Sequence, residues 1–249
     1  MACLLCGKKR KKKEKLGEPK ALPREFSLEE KLPPIWYDQK HINSCVGEAI
    51  AFVLSYHYYQ QYRKPLKFSS LYIYWHARYL IKRHLSDEGA YIHDGITAIS
   101  RWGSPTYERW STTDTLLFVQ PSPEAYEEAF KLKPTRINAY VVDDYTEAKK
   151  AIYAGYPIIF GFYVPESFHR QKPQNKEVIL DIPPPSERIA GGHAVVGIGY
   201  SDIKEAILCR NSWGDKWGTN GNFWIKYSYL ESDKGLISQF FVIIPEWSK

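Results

Sequence analysis

One cysteine, Cys45, stands where a polar, turn-rich stretch gives way to an apolar helical pattern. The stretch before it reads Tyr37-Asp38-Gln39-Lys40-His41-Ile42-Asn43-Ser44. After it, Val46, Ala49, Ile50, Val53, Leu54 and Tyr58 recur at the spacing of one buried helix face. The pattern predicts a helix from Cys45 to about Tyr62, with Asn43 or Ser44 placed to cap its first turn. A helix N-terminus favours an anion, so a thiol there is biased toward thiolate. Six residues upstream, Gln39 can offer a side-chain amide donor. A nucleophile with a donor beside it is half of an acyl-transfer site.

The other half lies far downstream. Gly191-Gly192-His193-Ala194-Val195-Val196 puts a histidine at the head of an apolar strand, and Arg210-Asn211-Ser212-Trp213-Gly214-Asp215-Lys216-Trp217-Gly218 follows another. With Gln39, Cys45, His193 and Asn211 in that order, and with the Asn-Ser-Trp-Gly run, the chain resembles the papain/cathepsin family of cysteine peptidases over roughly residues 33–245. His193 follows Cys45 by 148 residues, inside the range usual for that family's histidine, and Asn211 follows by 166, somewhat beyond it. Ser69 to Trp110 and Gly155 to Phe168 are most similar to bacterial-type members that lack disulfides. There are departures. The chain reads Ile42-Asn43-Ser44-Cys45-Val46 where the family signature is Cys-Gly-Ser-Cys-Trp, and Gly192 precedes His193 where many relatives carry Asp or Asn.

The resemblance implies an α+β, papain-like two-lobe fold with the site in the cleft between lobes. Cys45 is then the nucleophile, His193 the proton shuttle and Asn211 its orienter, with Gln39 and the Cys45 N–H holding the oxyanion. Trp213 would shield the His193–Asn211 bond, backbone groups at Gly89 would pair with an extended substrate, and Gly192 and Trp217 would complete the substrate-binding set. This chemistry requires no metal and no cofactor, and the partner is a polypeptide. Two other classes share these residues: a scaffold that keeps the fold without turnover, and an acyl transferase using the same thioester.

The residues themselves divide the chain. Residues 1–20 form a basic tail expected to be disordered, 21–120 a helical lobe carrying the nucleophile, and 121–249 a strand-rich lobe carrying His193 and Asn211. Further helices are predicted from Ser69 as a cap and from about His93 to Arg101, with Asp87–Ala90 as the loop between them. Pro33-Pro34 with Trp36-Tyr37 reads as an extended lead-in, and Pro121–Tyr126 as a linker. In the second lobe a helix is predicted at Tyr145–Tyr153. Strands are predicted at Pro157–Val164, Ala194–Tyr200, Ala206–Arg210, Phe223–Tyr227 and Phe240–Ile244. His169–Ala190, with Pro173 and Pro183-Pro184-Pro185, is long for a loop and is placed on the cleft rim.

Charge says little about the substrate. Of 34 basic and 28 acidic residues, the first twenty hold eight and two, and the rest of the chain balances at 26 each. Nucleic-acid binding by the core gains no support. The tail has its short apolar stretch before its basic run, the reverse of a secretory signal. Acylation of Cys3 and Cys6 beside the lysines would give a two-signal membrane anchor. Outside the tail only Cys45 and Cys209 remain, so no core disulfide forms without consuming the nucleophile. A reducing, intracellular setting and a monomer are expected. Ala21–Leu32, about 12 residues reaching at most about 40 Å, is too short for an inhibitory domain, so activity is expected without proteolytic maturation.

Overall fold

The computed structural model describes residues 21–231 and 235–248; the basic tail and its Cys3 and Cys6 lie outside the described residues. Helix α1 (Cys45–Tyr62) starts and ends where its pattern predicts. Its burial differs from the expected single face, because every residue from Cys45 to Tyr56 is buried. The reason is its position: α2 (Ser70–Leu80) and α3 (Ile92–Trp102) pack on one side, and the sheet on the other. Neither expected cap operates. Ser44 occupies the cap position but its hydroxyl donates to Glu48 Oε1 at 3.0 Å, while Asn43 is bound to Asp87. Ser69 does cap α2, accepting from the Tyr72 N–H at 3.1 Å.

The stretch expected to be a linker is helical: α4 spans Pro123–Leu132, with Ser122 Oγ accepting from the Ala125 N–H and proline in the first turn. Its small residues Ala125 and Ala129 join Leu71, Tyr72, Tyr74 and Trp110 in a core beneath the first lobe. The helix therefore packs with the first lobe although it follows residue 120. A Ser-Pro-Glu start signals such a helix, but two alanines make a weak apolar face.

The second lobe is one sheet of β1 (Glu25–Ser27), β2 (Arg136–Val142), β3 (Ile158–Pro165), β4 (Ile179–Leu180), β5 (Ile189–Ser201), β6 (Ala206–Arg210), β7 (Asn222–Lys226) and β8 (Phe240–Glu246). Its order is β2-β8-β3-β5-β6-β7-β4, and β1 pairs with the far end of β5, Glu25 opposite Ser201. Helix α5 (Tyr145–Tyr153), predicted from sequence, packs against it. The segment Ala21–Leu32 is thus partly built into the sheet, and Leu28 in it is fully buried. β5 is longer than predicted; residues 189–192 are exposed and those from His193 to Ser201 are buried. β2 was not read from the sequence, because its residues are only half-buried and lack clear alternation.

The rim segment 169–190 is fastened along its length. The Gly218 N–H donates to Pro173 O, the Asn175 N–H to Lys216 O and the Trp224 N–H to Val178 O, and β4 pairs with β7.

Candidate active site

Two lobes meet over Cys45. From the first come α1 and the Tyr37–Gln39 segment; from the second, β5 with His193 and the turn after β6 with Asn211. The lead-in segment is stitched to that turn: the Gln39 N–H donates to Ser212 O at 2.9 Å, the Gly214 N–H to Tyr37 O at 3.0 Å, and Asp38 bridges Trp213. Gln39 adds a side-chain tie, its Oε1 accepting from Ser212 Oγ at 2.7 Å while Nε2 donates to Ile42 O at 2.9 Å. A primary amide carries two N–H bonds, so one N–H remains for a second acceptor.

His193 Nε2 is 2.7 Å from Asn211 Oδ1. With Nε2–H donating there, Nδ1 is left as the nitrogen available for a thiol. The imidazole is racked between aromatic rings: Trp213 stacks on it with centroids 5.0 Å apart, and Phe162, directly across the β3–β5 pairing, meets it edge-on at 5.7 Å. Phe168 and Trp217 back the Trp213 indole. Asn211 Oδ1 also accepts from the Ser212 N–H at 2.9 Å, which sets the amide's orientation.

Cys45, His193, Asn211 and Gln39 are all buried. Burial pushes the Cys45 thiol up to about 11; the N–H groups of Ala194, Val46 and Cys45 itself pull the other way. The last two are the helix-terminal donors anticipated from sequence, and the Ala194 donor puts the sulfur beside the residue that follows His193. Burial likewise holds the His193 imidazole down to about 4, although the Asn211 hydrogen bond favours its charged form. The expected bias toward a thiolate is therefore outweighed by desolvation, and each group resists charge on its own.

The predicted substrate residues separate. Gly192 is exposed at the head of β5, with open space where a side chain would stand. Gly89 lies on a loop whose Asp87 binds Asn43, two residues before Cys45, but its N–H is taken by Tyr74 Oη at 3.0 Å. Pairing with a substrate strand there is left to its carbonyl. Trp213 is half-exposed over His193, whereas Trp217 is buried and donates to Gln171 O, anchoring the rim segment. Sequence reasoning passed over Ser212 and Glu48. Ser212 lay inside the Asn-Ser-Trp motif, and a lone acidic residue in the apolar run of α1 was the available signal for Glu48.

Among the described residues, no cluster of three His, Cys, Asp or Glu could hold a metal, and no helix is long and apolar enough to cross a membrane.

Known proteins share this architecture. Xylellain, a cysteine protease from Xylella fastidiosa, superposes with a TM-score of 0.81 at 30% identity, covering 92% of this chain and 88% of its own. The Carica candamarcensis cysteine protease CMS1MS2, solved in complex with E-64, shares the fold at 17% identity and a TM-score of 0.66, covering 92% of this chain and 100% of its own. An uncharacterised peptidase C1-like protein of Acanthamoeba polyphaga mimivirus is 36% identical over 214 residues, 83% of this chain and 68% of its own. Residues 83–239 match the profile of the papain family of cysteine proteases. The chain belongs to the papain family of cysteine proteases and is a cysteine-type endopeptidase that hydrolyses peptide bonds.

Proposed function

We propose that Cys45 attacks the scissile carbonyl, forming a thioester that water then hydrolyses. The observation that carries this reading is the His193 Nε2–Asn211 Oδ1 hydrogen bond of 2.7 Å under the Trp213 indole. It leaves Nδ1 as the base. His193 takes the thiol proton and returns it to the leaving amine, so charge moves within the pair and neither buried group is ionised alone. The second Gln39 N–H and the Cys45 N–H hold the oxyanion. Gly192 lies open on the His193 side of the cleft, and the Gly89 carbonyl is the acceptor for a substrate N–H on the other.

All of these residues come from one chain, which supports action as a monomer. The test is mass spectrometry of the purified chain after brief exposure to a peptide ester. A mass adduct mapped to Cys45 is the expected result; an adduct elsewhere, with turnover intact, would overturn the assignment.

A further inference from the structure

Glu48 is an ionisable side chain where α1 is otherwise apolar, one turn after Cys45, and it is 1% exposed. An isolated carboxylate is costly there unless hydrogen-bonded. One oxygen is provided for: Ser44 Oγ donates to Oε1 at 3.0 Å, and Ser70 from α2 also favours the charged form. Oε2 has no hydrogen-bond partner. The groups facing it are Lys67, which favours its charge, and Asp38, Cys45, Tyr37 and Tyr107, whose charged forms oppose it. The buried Arg210 guanidinium of β6 lines the same small cavity, and its Nε likewise has no hydrogen-bond partner.

Two consequences follow from this position. Ser44 immediately precedes the nucleophile, so the Ser44–Glu48 bond fixes the turn that presents the Cys45 N–H and sulfur. The charge of Glu48 also raises the Cys45 thiol further, whereas His193 is governed by its own burial, Asn211 and His169. Glu48 follows Cys45 by one turn on the same buried face of α1, so an ionised Glu48 opposes the thiolate directly. We infer that Glu48 is a positioning residue for the cysteine chemistry: through Ser44 it holds the nucleophile's turn, and through its own charge it sets how readily Cys45 ionises.

This inference rests on Cys45 being the nucleophile. Its sign is unusual for a thiol. Burial places the Glu48 carboxyl at about 7, so the negative charge appears as pH rises through that value. Cys45 reactivity then steps down on the alkaline side, where an ordinary thiol becomes more reactive.

The experiment measures the rate of Cys45 alkylation by iodoacetamide from pH 5 to 9 in residues 1–249. The unaltered chain should show a step down of roughly three- to tenfold with its midpoint near 7, the scale of one partly screened charge. Glu48→Gln, which keeps the shape, should remove the step and hold the acid-side rate throughout. Ser44→Ala, which deprives the carboxylate of a donor, should move the midpoint to higher pH. A step that survives Glu48→Gln, or a midpoint unmoved by Ser44→Ala, would overturn the inference. Should Glu48→Gln fail to fold, carbon-13 titration of the Glu48 carboxyl in the unaltered chain must match the alkylation midpoint, and a mismatch overturns it equally. Failure of the underlying reading looks different: peptide turnover would persist in Cys45→Ala.

Discussion

Gln39 and Ser212 are joined twice, once through the backbone at 2.9 Å and once through Ser212 Oγ to Gln39 Oε1 at 2.7 Å. Gln39 precedes helix α1, which opens on Cys45, and Ser212 follows Asn211. The double tie joins Gln39, the proposed oxyanion donor, to the Asn211 turn across the two lobes. Truncating Gln39 thus removes a donor and a brace. Gln39→Ala should lower kcat on the order of 10²–10³-fold, the scale for one oxyanion donor. Ser212→Ala, which cuts only the brace, should cost less. Steady-state kinetics on a peptide amide checks both, and a larger loss in Ser212→Ala would move the donor role away from Gln39.

Cys45→Ala should abolish peptide hydrolysis with circular dichroism unchanged. His193→Ala should lower kcat by about 10²–10⁴-fold, the scale of a lost proton shuttle. Asn211→Ala should be milder, because Trp213 and Phe162 still hold the imidazole plane. Greater damage in a folded Asn211→Ala than in His193→Ala would reverse the assigned roles.

The pH profile of kcat/KM should be a wide plateau. With His193 held down to about 4 and Cys45 pushed up to about 11, the pair keeps one shared proton between those limits. The neutral pair and the ion pair contain the same number of protons, so both belong to the plateau and the limbs belong to the pair. Activity rises as the first proton leaves near 4 and falls as the second leaves near 11, within the pH range where circular dichroism shows the chain folded. The Glu48 step is superposed on this. Limbs near the ordinary values of about 6.5 and 8.5 would show a solvated, uncoupled pair instead.

Gly47 lies between Val46 and Glu48 where α1 crosses α2. A methyl there would come within 2.4 Å of Ser70 O, a backbone atom that cannot swing away. Gly47→Ala should therefore destabilise by about 1–3 kcal/mol, as overpacking does, and displace the start of α1. Urea unfolding measures the first effect. Slower Cys45 alkylation, with the helix content preserved, measures the second.

Much of this protein was legible in the sequence because it depends on short-range pattern. Apolar spacing after Cys45 set the limits of α1, Ser69 announced α2, β-branched runs marked β3, β5 and β8, and a short apolar run marked β6. The residue runs around Cys45, His193 and Asn211 carried the resemblance to the papain family, which the family match supports. What the tertiary structure decided concerns surroundings. It drew Glu25–Ser27 to the far end of β5, packed α4 with the first lobe, and turned Trp217 inward to anchor the rim. It gave the Ser44 hydroxyl to Glu48 instead of the helix N-terminus. Above all, it buried the site. A helix N-terminus alone favours a thiolate, and that bias is local. Desolvation depends on every chain segment packed around the sulfur, which is why burial, unreadable from neighbours in sequence, reversed the sign.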